Sequence, residues 1–371
     1  MPVVRPRLPS VRRSRHGAPS LGPLFSLLLT LGLLLGACAH QDVPGLPPAP
    51  TPTSVAYAPV TFPKDEAPHA DLSEWWYYTG HLVAEDGRRW GFQYVTFQAL
   101  RGTLPPFYVA HFAVTDRQRG QFRYGEQGAQ GAQAQPAEGG FALDVGGWQM
   151  SGRLGQDQLR AALPEYAIDL RATTDRPPVL HDGGLVTFGP AGDSYYYSRT
   201  RMDIVGTLVD HGEPVAVRGQ AWFDKQWGNF LVMGGGWDWF SIQLDDGSDV
   251  MLNLIRDDRN VVQLAYGTYV EPSGQFRHLD AGEFELTPLG SWTSPRSGGI
   301  YPMGWRAIDP EAALDLVVQP VLLDQELDTR RSTNIIYWEG AQDVAGTRGG
   351  QAIRGQGYVE MVGYASVEAA R

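Results

Sequence analysis

From about residue 60 onward the apolar residues fall in short runs, rich in β-branched and aromatic side chains and punctuated by Gly, Asp, Asn and Pro. Such runs occupy 91–100, 107–115, 140–143, 195–202, 219–223, 239–244, 250–255 and 261–270. Helical periodicity is scarce, and the spacing predicts antiparallel strands in sandwiches or barrels. Asp86-Gly87 and Asp246-Gly247 are tight-turn signals between alternating segments, which predicts a hairpin near the start of each half of the chain. An aromatic cluster precedes each hairpin, Trp75 to Tyr78 in the first half and "GGGWDWFSIQL" in the second, as an internal duplication would produce. About 310 folded residues suit two β-barrel-like domains, placed at 60–218 and 219–371. The Gln-, Ala- and Gly-rich stretch 125–140 reads as a surface loop.

The beginning of the chain has a different pattern. Five arginines precede an apolar run from Leu21 to Leu35 that ends in Gly36-Ala37-Cys38, the layout of a secretory signal peptide over 1–37. Leu35-Gly36-Ala37-Cys38 is similar to a bacterial lipobox, so Cys38, the single cysteine, is the expected lipidation site. The Pro- and Ala-rich stretch 38–59 reads as an extended tether. Ala39 after the cysteine favours the outer membrane, facing the periplasm, and makes the membrane itself a partner through the anchor.

Within "SEWWYYTGHL" (73–82) four aromatics run together, so both faces of that strand must be covered. Alternation turns Trp75 and Tyr77 one way and Trp76 and Tyr78 the other, which lets one segment build a cavity wall and a domain interface. Glu74 and His81 are charged or polar groups among apolar neighbours and need partners. An odd separation puts them on opposite faces, so Arg199 or Arg201 is expected for Glu74, and His111 or Tyr94 for His81. In "AWFDKQWGN" (221–229), Asp224 and Lys225 stand between Trp222 and Trp227, an acid and a base beside ring faces. Protonating an alkene and trapping the cation with water needs that combination. In the C-terminal segment, Tyr358, Glu360 and Val362 share one face of a closing strand, and Glu339 and Glu360 are candidate acids inside a cavity, although carboxylates on strands more often face solvent.

The blocks "EWWYYTGHL", "YYYSRTRM" with "GTL", "GQAWFDKQWG", "WDWFSIQLDDG" and "YWEG…GQGYVEMVGY" together resemble the secreted AttH-like family, which is related to the carotenoid 1,2-hydratases. They cover nearly all of 65–365 in the family's order. The resemblance implies an all-β fold of two lipocalin-like antiparallel barrels packed together. Where relatives carry an Asp-His-x-Trp arrangement, this chain has Asp224-Lys225-Gln226-Trp227. A lysine exchanges protons near neutrality only if burial lowers its pKa, so the acid role does not carry over to Lys225.

Charge and motif content narrow the classes. Removing the leader takes the formal net charge from −11 to −16, which argues against nucleic acid as a partner. One cysteine excludes disulfides and Cys-ligated zinc, no metal-ligand spacing is present, and no Gly-x-Ser-x-Gly elbow supports a serine hydrolase. No cofactor is implied. The expectation is a lipid-anchored module that binds a hydrophobic small molecule or lipid through Trp75, Trp76, Tyr77, Trp222, Trp227, Trp237 and Tyr358. The alternative is a hydratase-like or hydrolase-like enzyme on an isoprenoid or lipid, with Asp224, Glu74 and His81 as proton-transfer groups. A subunit of an export complex is a third class.

Overall fold

The computed structural model describes residues 57–131, 139–230 and 235–365; the leader, Cys38 and the tether up to residue 56 lie outside the described residues. Two large antiparallel sheets make up the molecule, and together they form one compact unit. The first contains β1 (Ser73–Ala84), β2 (Arg89–Ala99), β3 (Phe107–Asp116), β4 (Gln121–Gln130), β5 (Phe141–Val145), β6 (Trp148–Arg153), β7 (Gln156–Ala162), β8 (Tyr166–Thr173), β9 (Val179–Thr187), β10 (Asp193–Asp210) and β11 (Glu213–Gly228). Its order is β4-β3-β2-β1-β11-β10-β8-β7-β6-β5, with β9 on β10, and its edges β4 and β5 approach each other to nearly close a barrel.

The second contains β12 (Gly236–Leu244), β13 (Asp249–Arg256), β14 (Val262–Val270), β15 (Phe276–Leu279) and β16 (Glu285–Pro288), then, beyond a small hairpin of β17 (Ser291–Thr293) and β18 (Ile300–Pro302), β19 (Trp305–Asp309), β20 (Leu314–Pro320), β21 (Glu326–Asp328), β22 (Ile336–Arg348) and β23 (Gln351–Val362). Its order is β15-β14-β13-β12-β23-β22-β20-β19-β16, with β21 on β22, a half-barrel. In both sheets the opening strand of the hairpin pairs with the last strand to arrive, β1 with β11 and β12 with β23. This repeated order is the structural counterpart of the duplication read from the two hairpins.

That closure moves the boundary expected between 218 and 219. The strand there runs unbroken to Gly228 and pairs with both β1 and β10, because the first barrel's final strand must return beside its first. The second sheet starts at Gly236. Polar residues such as Arg218 and Gln220 had hidden the length of that strand. The stretch 125–140 is likewise not all loop: through Gln130 it is β4, laddered along the whole of β3, since backbone pairing outweighs its weak composition. Residues 132–138 lie outside the described residues.

Each sheet curls around its own apolar core, with Trp76, Tyr78, Phe92 and Phe112 in the first and Phe240, Trp305, Leu316 and Trp338 in the second. A third apolar layer lies between the sheets, where Tyr77, Val95, Tyr196, Trp222, Trp239, Met251 and Tyr358 meet. β1 and β11 therefore have one face in a barrel core and the other against a neighbouring sheet. Their near-continuous burial follows from this, and so does the continuous aromatic run that a strand with one wet face would not carry. Asp249 of β13, fully buried, clamps the layer: it accepts from Arg201 at 2.6 Å and Thr200 at 2.8 Å across a bulge in β10, and pairs with Arg176 at 3.3 Å.

Close approach of β11 to β1 depends on Gly219, where a Cβ would fall 1.8 Å from the His81 carbonyl oxygen. Gly219→Ala is expected to push the two strands apart and to lower Tm by roughly 2–10 °C, the effect of about 1–3 kcal/mol of overpacking, as read by calorimetry.

Candidate active site between the two sheets

The alternation of β1 divides its aromatic run as the pleat requires. Trp76 and Tyr78 enter the core of the first barrel, while Trp75 and Tyr77 face the second sheet. Between the sheets, at the end where β1 begins and β23 finishes, lies a cavity of ≈ 590 Å³. Aromatic walls come from both sheets, among them Trp75, Tyr77 and Phe97 from one side and Trp237, Trp239 and Tyr337 from the other. The cavity thus sits between the barrels, not inside one of them. The first barrel's interior is occupied by its own aromatics.

Three carboxyl groups stand in this dehydrated layer. Asp224, opposite Tyr77 in register, accepts from the Trp222 indole at 2.6 Å, from the Tyr196 hydroxyl at 2.8 Å and from the Ser198 hydroxyl. Burial pushes its pKa up to about 7 in spite of those donors. Behind Ser198, His181 lies 2.6 Å from the hydroxyl and its other ring nitrogen 2.8 Å from Thr268; burial pushes this imidazole down to about 3 and keeps it neutral. On the facing sheet, Glu360 is enclosed by protein yet keeps surface open to the cavity. Its carboxylate accepts from the Trp237 indole at 2.9 Å. Burial is the main reason its pKa rises to about 7, and the charge of Asp224 adds to it. Glu339, the cross-strand neighbour of Glu360, receives the Tyr77 hydroxyl on one oxygen, and its other oxygen is buried with no partner among the described residues. Burial and then the Glu360 charge hold it well above the usual carboxylate range.

Of the residues singled out in the sequence, Asp224, Glu74, Trp75, Tyr77 and Trp237 line the cavity. Trp222 stands behind the lining as a donor to Asp224. Trp76 and Trp227 turn into the first barrel, where Lys225 Nζ lies 3.8 Å and 5.1 Å from their ring centres. Tyr358 and His81 sit deeper between the sheets, edge to face at 5.4 Å, and His81 Nε2 is 3.0 Å from the Gly357 carbonyl. Burial pushes His81 down to about 4, so it is neutral at neutral pH and stands away from the cavity lining.

The expected partners of Glu74 and His81 are replaced. Glu74 is paired with Lys225 and with His69 at 2.8 Å, and accepts from Gln98 at 3.0 Å. Arg199 instead reaches Glu66 and Arg201 reaches Asp249, because the register sets Arg199 level with Tyr78, well along β1 from Glu74, and Arg201 lies further on, at the bulge in β10. His111 bonds Tyr337 and Ser332, both at 3.0 Å, and does not meet His81. Burial pulls Lys225 down to about 8, and the Glu74 charge opposes that shift.

Glu339 and Glu360 are the residues whose importance was underrated. The face shared by Tyr358, Glu360 and Val362 was legible, but only the second sheet's docking makes that face an interior one. Tyr196, Ser198 and His181 carried no local signal; β9 and β10 bring them to Asp224. Among the described residues no group of His, Cys, Asp and Glu is arranged to hold a metal ion.

Comparison with known proteins gives this arrangement relatives. The AttH-like family matches residues 53–364. A solved structure assigned to AttH from Nitrosomonas europaea superposes with a TM-score of 0.75 at 31% identity, over 84% of this chain and 98% of that one. The kievitone hydratase structure from Nectria haematococca superposes at 0.68 over 83% and 93% of the two chains, and its 18% identity supports likeness of fold alone. In sequence, kievitone hydratase of Fusarium solani subsp. phaseoli is 26% identical over 190 residues, a match that spans about half of this chain (48%) and half of that protein (51%).

The Glu74–Lys225 pair is wholly buried, so removing one partner strands the other. Lys225→Met is expected to destabilise by about 3–5 kcal/mol, and adding Glu74→Gln to recover much of that loss. Denaturant unfolding of the two single variants and the double variant measures the coupling.

Proposed function

The chain belongs to the AttH-like family, and from that premise we propose that it is a hydratase-like enzyme that adds water to an alkene of a lipophilic, isoprenoid-type substrate held between the two sheets. The observation that carries this reading is the pair Asp224 and Glu360, on opposite walls of an aromatic cavity, each with its pKa near 7. Near neutrality such a pair holds about one proton between two carboxyl groups, one being able to give it while the other is free to accept.

The donors divide the roles. Three hydrogen bonds stabilise the ionised form of Asp224, against one indole for Glu360, so Glu360 is the acid and Asp224 the base. The Glu360 proton passes to one alkene carbon, the π pair becomes a C–H bond, and positive charge is left on the neighbouring carbon. Tyr77 and Trp239, edge to face at 5.3 Å, offer ring faces to that charge. Water closes the C–O bond, and Asp224 accepts the proton that water gives up. Return of that proton to Glu360 resets the site. Lys225, tied to Glu74 inside the first barrel, is not needed as the acid, which removes the objection raised by its place in the sequence.

Binding of a hydrophobic molecule, the expectation read from the aromatic residues, becomes the first step of this reaction. Lipidation at Cys38 and residence in the cell envelope, at the outer membrane facing the periplasm, are proposed with it; an export-complex partner has no further support. The names of the kievitone hydratases support the reaction class for their own chains and are in accord with this one.

Glu360→Gln and Asp224→Asn are each expected to lower kcat roughly 10²- to 10⁴-fold with small changes in KM. The wild-type rate should be bell-shaped with its maximum near pH 7, falling on the acid side as Asp224 is protonated and on the alkaline side as Glu360 ionises. Incorporation of ¹⁸O from labelled water into trisubstituted isoprenoid alkenes, followed by mass spectrometry, is the assay. Turnover that survives both substitutions would remove the assignment.

A further inference from the structure

The cavity lies at one end of the strands. Its lining comes from the first residues of β1, β3, β12 and β22 and the last residues of β2, β11 and β23, which all lie at that end. At the rim, the loop 100–106 carries Leu104, 63% exposed, and leads into Phe107, which is 41% exposed and itself lines the cavity. Across the second sheet, the turn that follows β13 ends in Val261 and Val262, 53% and 47% exposed. Exposed apolar side chains scattered singly need no explanation, but these lie at the same end of their sheets as the cavity.

Two further features mark the same end. Arg101, at the rim, is held by the carbonyls of Leu72 and Leu100 at 2.9 and 2.7 Å and has no carboxylate partner among the described residues. The described chain enters here as well. Tyr57 donates to Asp193 at 2.6 Å, at the start of β10; the adjoining Gly192 packs on Phe230, a cavity wall. The 56 residues before Tyr57, with their apolar run and Cys38, are thus attached beside the mouth.

We propose that this end of the molecule is a membrane-docking face, with Leu104 and Phe107 inserted among lipid chains and Arg101 at the level of the phosphates, so that a lipophilic substrate enters the cavity from the bilayer without crossing water. The proposal rests on the reading of the cavity as a site for a lipophilic substrate. The lipid anchor proposed at Cys38, on which this orientation also rests, joins the fold at this same end. Asp257 and Asp258 in the β13–β14 turn, with the acidic balance of the whole chain, direct this face to zwitterionic lipid rather than to an anionic surface.

The test labels single thiols on the full chain. Cys38→Ser removes the only native cysteine, and Leu104→Cys or Glu85→Cys then places an environment-sensitive fluorophore at the mouth or in the exposed Glu85–Arg88 turn at the far end of β1, roughly 35–40 Å away at about 3.3 Å per residue. On phosphatidylcholine vesicles, the probe at 104 should shift to the blue and be quenched several-fold by brominated lipid, while the probe at 85 stays as in buffer. Equal responses at the two sites, or none at 104, overturn the proposal, as does a blue shift at 104 that needs no lipid and grows with protein concentration, the sign of a second copy on this face. Leu104→Asp should leave hydration of a detergent-dispersed alkene unchanged and slow that of the same alkene in vesicles about tenfold. The fluorescence readout needs no turnover, so failure of the hydratase reading leaves it intact.

Discussion

The structure depends on the pressing together of two curled sheets along β1, β11, β12 and β23. Each sheet has one face committed to its own core, and the second face of its central strands would be wet if the sheets stood apart. Docking covers that face with Tyr77, Tyr196, Trp222, Trp239 and Tyr358. Full burial of a large apolar side chain contributes about 1.5–3 kcal/mol, so a layer of this kind holds the sheets as one unit. The same layer removes water from every polar group caught in it, and the chemistry of the site follows from that dehydration.

Dehydration acts with opposite sign on acids and bases, and both signs are present. Asp224, Glu339 and Glu360 are raised; His81, His111, His181 and Lys225 are lowered. Asp224 and Glu360 are thereby drawn toward neutrality, and Lys225 with them, while the imidazoles, the usual exchangers, are drawn away from it. A residue's type alone misleads here. Lys225 occupies a position where a histidine would look like the acid, yet it is spent on Glu74 between two indole rings. In the proposed reaction, proton transfer falls to carboxyl groups that a solvent-facing reading would have set aside.

The incomplete contact between the sheets matters as much as the contact itself. Where the strands end, the aromatic layer parts and leaves a cavity with an open mouth. Loop 100–106 and the entry of the described chain at Tyr57 lie at that same end.

The all-β character, the two hairpins, the duplicated layout and the division of Trp75 and Tyr77 from Trp76 and Tyr78 were determined by the sequence itself. All of these rest on local rules: turn chemistry, period-two alternation, and the cost of leaving aromatic surface in water. The resemblance carried by the aromatic blocks extended this to the family. Tertiary structure alone decided the rest. A backbone ladder with β3 made residues 121–130 a strand, return of the last strand to the first set the end of the first barrel at Gly228, and the register of β10 through β11 to β1 set Arg199 and Arg201 beside Glu66 and Asp249 rather than beside Glu74. Whether Glu360 faces solvent or a cavity is invisible along its own strand, because its alternation is the same in either case. The facing sheet settles it, and with it the pKa of the group, since burial is a property of the neighbours that long-range packing supplies.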